Sequence, residues 1–173
     1  MLDAPAAPTS REALIDRLLL REEVEAFNAA YSAALDEMRL GDWAEMFTED
    51  GFYVVISREN HDRNRPVGLI YCEGIGMIRD RAFALAKTAM FAPRYLRHMI
   101  SNTEILGPEQ DGEVRARSNY LVLQVLFDRP DATLHQLGRY EDVFRRVGGR
   151  LRLASRRCIY DSLLVPNALC VPV

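Results

Sequence analysis

Long apolar runs are missing from this chain of 173 residues. Runs such as Leu18-Leu19-Leu20 and Tyr120-Leu121-Val122-Leu123 fall far short of the roughly 20 residues a helix needs to cross a bilayer. The opening stretch, MLDAPAAPTS, carries an early Asp and no uninterrupted apolar core, so it does not read as a secretory leader. Cysteine is scarce. Cys72, Cys158 and Cys170 are odd in number and far apart, which provides neither a disulfide framework nor a CxxC clamp. A reducing cytoplasm is the expected compartment. Positive charge is not in surplus: 22 Lys and Arg face 25 Asp and Glu, so no basic surface is available to neutralise phosphates.

Metal and nucleotide signatures are also lacking. None of the three histidines has a Glu or a second His three or four residues on, and no Cys lies within four residues of a His or another Cys. That spacing argues against a closed zinc site or an iron–sulfur centre on this chain. Gly74-Ile75-Gly76-Met77-Ile78-Arg79 begins like a dinucleotide fingerprint but fails at the third glycine. It reads instead as a turn into a helix. Neither GxxxxGK[ST] nor GxSxG occurs.

What is present is the composition of a globular protein: 49% hydrophobic and 27% charged residues. The length suits one domain, residues 10–173, behind an Ala/Pro-rich flexible arm, residues 1–9. Thr9-Ser10-Arg11-Glu12 has the form of a capping box and predicts a helix start. Val24, Phe27, Tyr31, Ala34, Leu35 and Met38 then recur at helical spacing, up to a stop at Leu40-Gly41-Asp42. Asp42 is expected to cap a short second helix through Trp43, Met46 and Phe47. Phe52–Ser57 reads as a strand, Arg58–Pro66 as a polar loop, Val67–Cys72 as a second strand, and Ile75 to about Met90 as a third helix stopped by Pro93.

Four long strand patterns follow: Arg97–Leu106, Glu113–Phe127, Thr133–Val147 and Arg150–Tyr160, separated by turn signals that include Gly148-Gly149. Helices first and a meander afterwards predict an α+β fold, with N-terminal helices packed in a curved, mainly antiparallel sheet. From Asn119 onward the second of these strands is apolar on both faces, Leu121, Leu123 and Val125 opposing Val122 and Leu126. Such a strand needs cover on both sides, and a partner subunit is the economical source of the second cover. The tail, residues 161–173, is apolar but carries Pro166 and Pro172, and is expected to dock on its own sheet or on a neighbour.

The polar candidates have modest readings. His61-Asp62 reads as a solvated loop pair before a catalytic one, His98 as a structural histidine, and His135 as a packed or interfacial one. The string Arg145 to Arg157 reads as a solvated face or subunit contact.

One ordered set of residues runs through the chain. It comprises Trp43 and Phe47-Thr48-Glu49-Asp50, then Arg97-His98-Met99-Ile100-Ser101-Asn102, Ser118-Asn119, Gly138-Arg139-Tyr140-Glu141-Asp142, Gly149-Arg150-Leu151-Arg152-Leu153 and Arg157-Cys158-Ile159-Tyr160-Asp161. Over roughly residues 20–173 this set resembles the small (beta) subunit of Rieske-type aromatic-ring-hydroxylating dioxygenases. The resemblance implies an NTF2-like (SnoaL-like) cone fold and a structural subunit with no catalytic, cofactor or metal residues of its own. It implies a large alpha subunit as partner, in an α3β3 assembly with the beta subunits associated as a trimer. The alpha subunit would hold the Rieske [2Fe–2S] cluster and the non-haem iron, fed with electrons ultimately from NAD(P)H. The stretch Ser57–Asp62 followed by Gly68–Tyr71 is similar to subunits acting with carboxylated arenes such as salicylate or terephthalate. The alternatives are a stand-alone cone-fold isomerase, dehydratase or cyclase, with His98, Tyr53, Asp161 and His135 as its candidate site, and a pure interaction module.

Overall fold

Ser10 opens the first helix: its hydroxyl accepts the Ala13 N–H at 3.1 Å. The computed structural model describes residues 10–107, 109–162 and 171–173, so the expected arm, residues 1–9, and residues 163–170 of the tail lie outside the described residues. The cap sits one residue later than the Thr9 capping box placed it. Helix α1 (Arg11–Asp36) buries Val24, Asn28, Tyr31, Ala34 and Leu35, a single stripe at helical spacing. It ends at Asp36, and Met38 turns the chain with φ 55°. In α2 (Leu40–Ala44) Asp42 lies in the first turn rather than at the cap, paired with Arg39 at 2.6 Å. Phe47, expected in that helix, instead opens strand β1 (Phe47–Ser57).

The expected polar loop contains a short helix, α3 (Arg58–Asp62), because the Ser57 hydroxyl accepts the Asn60 N–H at 3.2 Å. Strand β2 (Ile70–Glu73) leads through Gly74, at φ 80°, into α4 (Gly74–Lys87). Pro93 does not stop α4: the helix has already ended at Thr88. Strands β3 (Arg94–Ile105), β4 (Glu113–Leu126), β5 (Ala132–Val147) and β6 (Arg150–Tyr160) form the expected meander. Gly148 and Gly149, both at positive φ, close its last hairpin. The sheet order is β2-β1-β6-β5-β4-β3, antiparallel except where β1 lies parallel to β6.

Three extra residues bend this sheet around the helices. The register slips between Ser101 and Glu104 in β3, where Asn102 adopts φ 55°. It slips at His135 in β5, and again at Ala154 in β6. Each unpaired residue increases local twist and turns the strand. At the bend between β5 and β6, Gly138 is pressed so closely on the Ile159 carbonyl that no side chain fits there. The concave face holds the core: Trp43, Phe47, Tyr53, Phe144 and Leu153 are essentially solvent-free. On the convex side, Val54, Ile56, Ile159 and Phe52 form a smaller cluster. The Gly68 backbone presses on this side at Val54, while the Leu69 N–H bonds to the Val55 carbonyl at 2.7 Å.

Arg156 is not part of a solvated basic face. It is fully buried on the inner register of β6, directly opposite Asp142 of β5. Its guanidinium donates to both Asp142 oxygens at 2.9 and 2.8 Å and to the Asn28 carbonyl oxygen at 2.6 Å. The plane lies between the rings of Tyr31 and Tyr140, 4.1 and 4.2 Å from their centroids. One side chain thus ties α1, β5 and β6 together. Arg156→Ala should cost about 3–5 kcal/mol in urea denaturation, because it strands a buried carboxylate. The double variant Arg156→Met with Asp142→Leu should lose markedly less; an equal loss would show that the charge pairing is not what matters.

Candidate functional site

The candidate residues fall into two places inside the cone. At one, α1 ends against β3. Asp36 Oδ1 accepts the His98 backbone N–H at 3.0 Å and lies 2.7 Å from His98 Nδ1. That contact joins the ring to the carboxylate through Nδ1 and leaves Nε2 free of it. Nε2 is buried and has no hydrogen-bond partner among the described residues. Arg97, on the other face of β3, reaches the second Asp36 oxygen at 3.4 Å. His135, the bulged residue of β5, is buried close enough to His98 and Arg94 to feel both. A regular strand would turn His135 outward; the bulge places it beside Gln136 on the inner side, so both are buried.

At the other place, Tyr53 points from β1 toward Tyr31 of α1. Both hydroxyls donate to the Val173 carbonyl, at 3.1 and 2.9 Å. Tyr120 stacks on Tyr140 with centroids 4.5 Å apart and donates to Gln136 Oε1 at 2.8 Å. Burial raises the ionisation of all four phenols far above the ordinary range, so each stays a neutral O–H. Asp161 does not join this interior: its carboxylate is paired with Arg58 at 2.9 Å and is about a third exposed. His61 lies 3.7 Å from Glu141 on the convex side. Among the described residues no three His, Cys, Asp or Glu side chains converge as a metal site, and no helix is long and apolar enough to cross a membrane.

Sequence reasoning missed Asp36. It follows Leu35 directly beside the apolar stripe of α1, and an acid at that edge must be answered by a donor. That was its signal, but the donor comes from β3, 62 residues away.

The third feature is an open surface. On the convex side of β3, β4 and β5, Tyr95, Met99 and Leu134 are about half exposed or more, and Leu121, Leu123, Val125 and Leu137 are only partly covered. The register places Tyr95 opposite Val125, Met99 opposite Leu121, and Leu121 opposite Leu137. The same strand's inner residue, Val122, is fully buried. The two-sided apolar pattern of β4 is therefore real, with one side filled and the other not fully covered by the described residues.

The interior histidine carries a pH dependence. Burial, then the Arg94 charge and His98, push the pKa of His135 from 6.5 down to about 4. Between those values the unfolded chain takes up a proton that the folded chain refuses. Stability should thus fall as pH drops through that window, by at most about 1.4 kcal/mol per pH unit. His135→Gln should flatten the change in urea midpoint between pH 7 and pH 5; an unaltered slope would assign it to other groups.

Comparison with known proteins agrees with this architecture. The family model described as ring hydroxylating beta subunit matches residues 31–167. The anthranilate 1,2-dioxygenase small subunit of Burkholderia cepacia is 35% identical over 151 residues, covering 87% of this chain and 92% of the relative. Subunit beta 2 of the terminal oxygenase component of terephthalate 1,2-dioxygenase from Comamonas sp is 26% identical, covering 87% and 97%. The crystal structure of the beta subunit of a candidate aromatic-ring-hydroxylating dioxygenase from Novosphingobium aromaticivorans DSM 12444 superposes with a TM-score of 0.81 at 36% identity, covering 90% of this chain and 98% of that one. On the family match over most of its length and with the NTF2-like fold, this chain belongs to the family of ring-hydroxylating dioxygenase beta subunits.

Proposed function

We propose that this chain works as a scaffold: it holds large oxygenase subunits in register and carries none of the redox chemistry itself. The observation that carries this reading is the apolar convex surface of β3–β5, which nothing within the described residues covers. An antiparallel sheet with one solvated face alternates apolar and polar residues; this one does not between Asn119 and Leu126. The assembly is read as α3β3, with the beta subunits meeting as a trimer in the cytoplasm. The Rieske cluster and mononuclear iron reside on the large subunit, with electrons derived from NAD(P)H. Electron transfer between such centres falls steeply with distance, so a subunit that fixes the boundary between large subunits raises turnover without touching substrate. Aromatic acids are the proposed substrates of the assembly, supported by relatives that act on anthranilate and terephthalate.

A second reading, a stand-alone cone-fold enzyme, has one observation in its favour: the buried Asp36–His98 pair, whose Nε2 has no partner among the described residues. It has the geometry of a base held by a carboxylate. The scaffold reading remains the stronger, because the relatives are small oxygenase components and the open surface has no use in a monomeric enzyme.

Met99→Asp with Leu134→Asp tests the scaffold. Both side chains are about half exposed, 54% and 48%. The isolated chain should therefore keep its circular dichroism and lose no more than about 0.5 kcal/mol of stability per site. Co-expressed with the large subunit, the variant should elute at a lower mass than the parent. A full-size, fully active complex would sink the proposed interface. In addition, the chain purified alone should contain no stoichiometric iron or sulfide; a metal centre on elemental analysis would overturn the division of labour.

A further inference from the structure

The interior of the cone is occupied by the chain itself. Val171, Pro172 and Val173 are buried, Val173 completely. The Val173 carbonyl oxygen receives three donors: the Tyr31 hydroxyl at 2.9 Å, the Tyr53 hydroxyl at 3.1 Å and Cys158 Sγ at 3.4 Å. The Tyr53 hydroxyl also accepts the Val173 N–H at 2.9 Å. These groups come from α1, β1 and β6, so the tertiary fold, not a local turn, aims them at one point. Trp43 and Phe47 pack edge-on to the Tyr53 ring, at 5.4 and 5.9 Å between centroids, and close the apolar wall. Burial raises the ionisation of both phenols and of the Cys158 thiol, which keeps all three protonated. At the near end of the segment, Val171 lines a partly open cavity of about 150 Å³ with Leu35, Asp36, Phe91 and Leu96.

Three side-chain donors from three separate elements converge on this one main-chain oxygen. Such convergence is what a ligand pocket does: apolar walls set the shape and a few polar groups fix the orientation. We propose that the cone is a carbonyl-binding pocket and that Val171–Val173 is its tethered occupant, a segment that docks as a ligand docks. Its withdrawal opens a site for a small, branched, apolar peptide end or N-acyl amino acid, with the amide N–H on Tyr53 and the carbonyl on Tyr31, Tyr53 and Cys158. The pocket is independent of the assembly proposed above, since one chain supplies all its walls.

The test restores the occupant from outside. A variant lacking residues 171–173 is titrated calorimetrically with acetyl-Val-Pro-Val, as free acid and as amide. The variant should bind one equivalent, and its melting temperature should rise by several degrees at saturation. The intact chain should bind at least tenfold more weakly, because its site is filled. Adding Tyr31→Phe and Tyr53→Phe to the shortened chain should weaken binding at least tenfold. A folded shortened chain that ignores the peptide, an intact chain that binds it equally, or a double phenylalanine variant with undiminished affinity would each overturn the proposal. Should the shortened chain fail to fold, Tyr53→Phe in the intact chain decides. Exchange of the Val173 amide, followed by NMR, should speed up at least tenfold on loss of its acceptor, and an unchanged rate would refute the docking.

Discussion

One antiparallel sheet has to bury apolar surface on both of its faces, and the rest of the molecule follows from how it does so. The concave face is satisfied from within. The α1 stripe of Val24, Tyr31, Ala34 and Leu35 faces the sheet, and α2 brings Trp43 to the same core. A flat sheet could not enclose so much, and the unpaired residues near Asn102, at His135 and at Ala154 supply the bend. The convex face is divided. Near β1 and β6 the segment around Gly68 presses on it; near β3, β4 and β5 nothing in the described residues does.

Enclosing a concave face also encloses polar groups, and several of them are tied to definite partners. Arg156 is satisfied by Asp142, Asn28 and two aromatic faces. Isolated, its charge would cost several kcal/mol to bury; paired, it locks the relative position of α1 and the last hairpin. Asp36 ties the end of α1 to the backbone and ring of His98. The phenols of Tyr31 and Tyr53 meet the carbonyl of Val173. Inside the cone, then, polar contacts position elements that apolar packing alone would allow to slide. Among the described residues, His98 Nε2, His135 Nδ1, the Tyr140 hydroxyl and one Arg156 nitrogen are buried with no hydrogen-bond partner.

Much of the architecture was legible along the chain. Period-two alternation located all four meander strands to within a few residues, and Gly148-Gly149 marked the last hairpin. The two-sided apolar character of Leu121 to Leu126 marked a strand whose outer face stays partly exposed. Errors clustered where a short-range contact decides. A single hydroxyl, that of Ser57, turns an expected loop into α3, and Phe47 left the helix for β1 once it could pair beside Leu153. Arg156 was misread because an arginine in a basic run looks solvated unless its cross-strand partner is known. Asp142 sits 14 residues earlier, and only the register makes them neighbours.

The sequence by itself determined the α+β class, the meander and the two-sided apolar character of β4, because these depend on residue type and on periods of two and 3.6. It could not place β1 parallel to β6, set the bulge that turns His135 inward, or join Tyr31, Tyr53 and Cys158 at the Val173 carbonyl. Those decisions belong to tertiary structure. They depend on strand order and register between segments a hundred residues apart, which no local pattern encodes and which only the simultaneous packing of helices and sheet selects.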